Sequence, residues 1–181
     1  MNRVNRGIIL AVILCAGCGQ ATEIGQSNQD SPVQIDPSSA TIKGIYDDPV
    51  TLTDGRFEGP PIEEDGASRP VVDLLDAHRV DHDLDGDGVE ETAILLTENS
   101  GGSGQFLYIA ILGERQGQAG NIATVLVGDR VQVEGFGAVG NDLVLDVVQA
   151  GPSDPLCCPT QKATRRWSLT DGTLTEKIEP A

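Results

Sequence analysis

Apolar and polar residues along this chain alternate with the short period of strands far more often than with that of helices. Phe106-Leu107-Tyr108-Ile109-Ala110-Ile111-Leu112 is apolar at every position, so both faces of the strand it predicts must be covered. Val131-Gln132-Val133-Glu134 alternates, as a half-exposed strand does. Ala163–Thr170 roughly alternates too, which turns Trp167 and Leu169 inward as core residues. Further strand-like runs lie at Ala93–Leu96, Ile122–Val127 and Leu143–Val148. Two copies of Leu-Thr-Asp-Gly, at residues 52–55 and 169–172, sit between apolar runs. Asp-Gly in that setting is a strong hairpin signal.

Only one segment competes for helix. Val71, Leu74, Leu75 and His78 share a helical face after Ser68 and Pro70, a plausible helix start. Val71–Val80 is read here as strand, because the acidic turn that follows needs a strand on each side. With at most one short helix, the pattern predicts a mainly β fold, an antiparallel β-sandwich or a partly open barrel.

The turn in question is Asp83-Leu84-Asp85-Gly86-Asp87-Gly88-Val89-Glu90-Glu91. Side-chain oxygens at positions one, three, five and nine suit a hard cation, since calcium takes about six to eight oxygens at roughly 2.3–2.6 Å. Asp83, Asp85 and Asp87 are the direct ligands in this reading, with the Val89 carbonyl, and Glu91 completes the shell directly or through water. A register beginning at Asp81 would put Val89 at position nine, where its side chain cannot ligate. Position twelve is Ile94, so the loop is not an EF-hand. It resembles the shorter calcium loops of FG-GAP (integrin-like) repeats, D-x-D-x-D-G-x-x-D/E, which join two strands. The bland alternative is a solvated acidic turn, and even a bound calcium ion would be structural here.

Other candidate chemistry is sparse. His78 and His82 both sit just before the acidic loop and suit either a transition metal or simple pairing with carboxylates. Glu98-Asn99-Ser100-Gly101-Gly102-Ser103-Gly104-Gln105 is Gly-rich but lacks the Lys-Ser/Thr of a P-loop and the G-x-S-x-G of a nucleophile elbow. It reads as a hairpin tip, or as a ligand-facing loop with Asn99, Ser100 and Ser103 as polar contacts.

The N-terminus carries an address. Arg3 and Arg6 precede the short apolar run Ile8–Leu14, too short for the roughly 20 residues of a spanning helix. Leu14-Cys15-Ala16-Gly17-Cys18 resembles the lipobox of bacterial lipoproteins, although Cys15 stands where leucine is usual. The resemblance implies a signal peptide over residues 1–17, a lipidated Cys18, and export to the cell envelope with a membrane anchor. A plain secretory signal is the alternative. Residues 18–40 read as a flexible tether rich in Gln, Ser, Asn and Asp, and 41–181 as one β-rich domain.

With 12 basic and 28 acidic side chains the chain has a formal charge of −16. Loss of Arg3 and Arg6 with the leader would deepen this to −18 (−16 less two). Such a surface repels nucleic acid, so no DNA or RNA partner is expected. Cys15 and Cys18 aside, only Cys157 and Cys158 remain. Adjacent α-carbons lie about 3.8 Å apart, short of the usual disulfide window of about 4.4–6.8 Å. A vicinal disulfide, two free thiols, and a redox or metal role all remain open for this pair.

Leu52–Gly55, Asp83–Glu91, Ser100–Gly104, Gly128–Gln132 and Gly151–Thr160 occur in an order that resembles a group of uncharacterised bacterial envelope proteins, sometimes found beside META-type domains. The resemblance covers most of residues 45–178. It implies an envelope location and transfers no catalytic residue, because the group has no assigned activity. The leading expectation is therefore a non-enzymatic, calcium-stabilised binding or scaffolding module whose envelope partner or ligand is unknown. A metal-dependent enzyme acting on envelope glycans or small molecules is the alternative.

Overall fold

The computed structural model describes residues 34–155 and 157–178. The leader, Cys18 and most of the tether lie outside them. Two antiparallel meanders follow one another along the chain. The first is a five-stranded sheet in the order β3 (Arg56–Glu58), β4 (Val71–His82), β5 (Glu91–Asn99), β6 (Phe106–Arg115), β7 (Gln118–Asp129). The second is four-stranded, with β8 (Gln132–Val139), β9 (Asp142–Gln149), β10 (Gln161–Thr170) and β11 (Thr173–Lys177) in sequential order. A small ladder, β1 (Thr41–Ile42) with β2 (Val50–Thr51), follows a 3-10 turn at Pro37–Ser39. The mainly β expectation holds, and Val71–His82 is a strand.

The all-apolar run in β6 explains the layering. Leu107, Ile109 and Ile111, with Ala93 and Leu95 of β5, face the second meander and pack on Leu143, Leu145, Val147 and Trp167. The intervening Ala110 and Leu112, with Ile94 and Leu96, face the other way onto Ala40, Ile42, Val50 and Leu52. Both faces of the central strands are thus dry, as a period-two backbone carrying no polar position requires. The packed chain begins before residue 41: Pro37 and Ala40 are buried and Ile35 lies against the same cluster.

The two Leu-Thr-Asp-Gly turns have the same backbone, with positive φ at Asp54 and Gly55 (51° and 78°) and at Asp171 and Gly172 (50° and 72°). Their outcomes differ. The second joins β10 to β11 in a full hairpin with Thr170 opposite Thr173. The first makes only one bridge, Thr53 to Arg56, and hands the chain from β2 in the covering ladder to β3 in the main sheet. The tight turn expected there forms, with reciprocal hydrogen bonds between Thr53 and Arg56 (2.8 and 3.1 Å). The expected hairpin ladder is corrected to a layer change, because β2 pairs with β1 and β3 with β4.

Arg165 ties the sheets at one edge. Its guanidinium donates to the Val127 carbonyl of β7 (2.8 Å), pairs with Glu176 of β11 (2.6 and 2.8 Å), and lies 5.0 Å from the Trp167 ring centroid. Trp167 is fully buried at the centre of the sheet-sheet interface. Trp167→Ala should therefore destabilise the fold by about 3–5 kcal/mol. Leu126→Ala, at a side chain 48% exposed, should change stability by no more than about 0.5 kcal/mol. Urea unfolding of the two variants checks the contrast.

Candidate metal site

The acidic loop bridges the end of β4 and the start of β5, and two buried residues hold it there. Leu84, its second residue, is buried in the core between the sheets. Glu91, its last, is the first residue of β5 and only 2% exposed. The Leu84 N–H donates to Glu91 Oε2 at 2.9 Å, so the loop closes on itself at the level of the core.

Between these anchors the carboxylates organise the backbone. Asp83 accepts from the N–H groups of Gly86 (2.7 Å) and Gly88 (3.1 Å), Asp85 from Asp87 (3.1 Å), and Asp87 from Val89 (2.8 Å). Gly86 and Gly88 have φ of 83° and 93°, the left-handed region where a Cβ is penalised. The second meander braces the loop from outside. Asn141 at the β8–β9 turn donates to the Asp83 carbonyl (2.7 Å), and His82 Nε2 donates to the Gly140 carbonyl (2.6 Å).

Carboxylate oxygens of Asp83, Asp85 and Glu91 lie within 4.8 Å of one another. Two oxygens on one calcium ion stand at most about 4.6–5.2 Å apart, twice the bond length, so this trio fits a single hard cation. Burial raises the pKa of Glu91, the Leu84 N–H works against that rise, and the charges of Asp85, Asp87 and Asp83 add to it. A cation at this point would relieve both the buried charge and the repulsion.

Of the five expected ligands, three are gathered. Asp87 stands beside the trio, close enough for its charge to act on Glu91, with one oxygen on the Val89 N–H. Val89 turns its side chain to solvent, consistent with a contribution from its backbone alone. Asp81 is engaged in β4 by Arg79 (2.8–3.0 Å) and by the Thr92 hydroxyl (2.6 Å), which supports a register starting at Asp83. His82 has its Nε2 proton on Gly140, and His78 is not part of the cluster. Sequence reasoning missed Asn141, which is 58 residues from Asp83 and carries no local signal. It also missed the anchoring role of Leu84, although an apolar side chain inside an acidic turn was the available cue.

The Gly-rich loop turns its polar groups inward. Asn99 donates to the Gly104 carbonyl (2.7 Å) and accepts from the Gly101 N–H (2.7 Å), and Ser103 receives Arg130 on its carbonyl (2.6 Å). Ser100 bonds Glu98, which is 3% exposed and also accepts from the Tyr46 hydroxyl (2.7 Å). Cys157 and Cys158 are joined in a vicinal disulfide. Both are exposed, on a loop closed at its base by the Asp154 carboxylate, which accepts from the N–H groups of Gly151 (2.9 Å) and Thr160 (2.7 Å).

Compared with protein-family models, curated proteins and solved structures, the chain matches none. The fold is an antiparallel two-meander β-sandwich, and among the described residues the carboxylates of Asp83, Asp85 and Glu91 form a cluster at its β4–β5 corner that could hold a metal ion.

The Gly151 N–H, first, and the Thr160 N–H lower the pKa of Asp154. A depressed folded-state pKa means the clamp is intact above the ordinary aspartate range and weakens as pH falls through the lowered value. The Gly151 and Thr160 amide resonances should shift together in that acid window. In Asp154→Asn both should be flat with pH, as NMR titration would show.

Proposed function

We propose that this protein is exported and lipid-anchored in a bacterial cell envelope, where its β-sandwich is a non-catalytic binding or scaffolding module stabilised by calcium. The observation that carries the cation is the buried Glu91 carboxylate facing Asp83 and Asp85 across less than 4.8 Å. An all-oxygen, carboxylate-rich set suits calcium, whereas magnesium is smaller and gives up its waters reluctantly. The ion's role in this reading is structural: it holds the β4–β5 corner against the β8–β9 turn, where Asn141 and Gly140 already meet the loop. The address rests on Arg3, Arg6, the apolar run and the small residues before Cys18.

With Kd near 0.1 mM, as in extracellular calcium modules, about 2 mM calcium should stabilise the fold by RT ln(1 + 20), about 1.8 kcal/mol. The melting temperature then rises by about 4–8 °C. Asp85→Ala should abolish the response while leaving a folded β protein. Glu91→Gln should abolish it too, yet melt no lower than wild type in chelator, because it removes a buried charge and retains an acceptor for Leu84. Identical melting curves in calcium and EDTA would remove the cation from the account.

The anchor has its own test. Cys18→Ala should eliminate incorporation of labelled fatty acid and release the protein from the membrane fraction; unchanged labelling would exclude lipidation at that residue.

A further inference from the structure

A second surface, formed by different residues from the acidic loop, has the makings of a ligand site. A groove of about 500 Å³ runs beside the covering ladder, lined by Tyr46, Asp47, Asp48, Phe57, Pro60 and Pro70. Its size falls within the range of ligand pockets. The Tyr46 and Phe57 rings stand 6.5 Å apart at 49°, and both are partly exposed. Tyr46 is fixed from below: its hydroxyl donates to the buried Glu98 carboxylate, which Ser100 also bonds. Burial and that carboxylate push the Tyr46 pKa up, so the phenol remains a neutral donor. The aromatic wall is therefore preorganised.

The charge at the rim is unbalanced. Asp47 and Asp48 are exposed and form no ion pair among the described residues. The excursion from Pro60 to Pro70 adds Glu63, Glu64 and Asp65. Its one basic residue, Arg69, is engaged by Glu58 and the Gly59 carbonyl. Aromatic faces and proline rings prefer an extended, proline-containing chain, and π faces beside carboxylates prefer a cation.

We infer that this groove binds an extended basic peptide segment of a partner protein, a lysine or arginine stem lying across Tyr46 and Phe57 and its charge reaching Asp47 and Asp48. This partner class is independent of the cation at Asp83–Glu91. Residues 19–33 of the chain itself contain no lysine or arginine, so they lack the complementary charge. A second copy, with the same strong negative charge, is repelled.

The full-length chain in excess EDTA, which leaves the acidic loop without metal, is titrated with acetyl-(Pro-Lys)3-amide and followed by NMR and calorimetry. Saturable binding is expected, with shifts at residues 46–48, 57 and 70, and none for acetyl-(Pro-Gln)3-amide. Asp47→Asn with Asp48→Asn should weaken binding roughly five- to ten-fold, the scale of two exposed ion pairs. Phe57→Leu, which retains bulk, should weaken it about three-fold. Glu134→Gln with Asp146→Asn, an equal charge loss on the other sheet, should leave it unchanged. Equal weakening by both acidic pairs would reduce binding to general attraction and overturn the site. Shifts centred elsewhere would do the same. Peptide-free self-association abolished by the Asp47/Asp48 double variant would replace the peptide with a second copy.

Discussion

Every layer of this protein answers one requirement: the two central strands of the first meander carry apolar side chains on both faces. Ile109 and Ile111 face the second meander, while Ala110 and Leu112 face the N-terminal ladder. Neither cover is optional. A sheet left bare on one side would present a contiguous apolar patch of the kind that drives association. The four-stranded meander supplies the larger cover, with Trp167 at its centre. The other face is closed by residues 35–52, a short ladder and a 3-10 turn.

The acidic loop follows from the same packing. A turn of carboxylates at a sheet corner has no intrinsic reason to converge, since like charges separate when solvent allows it. Here Leu84 is drawn into the core and Glu91 begins a buried strand, so the two ends of the loop are held where the charges crowd. Burial of Glu91 is the main cause of the rise in its pKa, and the neighbouring charges of Asp85, Asp87 and Asp83 add to it. Backbone N–H groups from Gly86 and Gly88 stabilise Asp83 in place, and the second meander's turn closes the outside. The apolar core thus builds the arrangement, and a cation would complete it.

The polar groups of the Gly-rich loop show the opposite case. Its composition suggested a surface offered to a ligand, yet Asn99 and Ser103 satisfy the loop's own backbone and Arg130, and Ser100 joins a buried Glu98. A glycine-rich stretch exposes many N–H and C=O groups, and neighbouring side chains satisfy them first. What the loop supports instead, through Glu98, is the orientation of Tyr46 in the neighbouring groove.

Local pattern determined a good deal. Period-two alternation, the unbroken apolar run at Phe106–Leu112 and the Asp-Gly turns define strands and their reversals within a few residues of one another, so they were legible without coordinates. So was the spacing of Asp83, Asp85 and Glu91, since a turn brings near neighbours together whatever surrounds it. Tertiary structure decided which strands pair. The same Leu-Thr-Asp-Gly turn made a hairpin at residues 169–172 and a layer change at 52–55, because pairing depends on what each strand meets at long range. It also decided that Asn141 braces Asp83, that Leu84 anchors the loop, and that Tyr46 and Phe57 share a groove. Asn141 is 58 residues from Asp83 and Leu84 enters the core between the sheets, so both depend on the closing of the two meanders. Tyr46 and Phe57 meet only because the N-terminal ladder folds over the first sheet, and no local periodicity encodes either meeting.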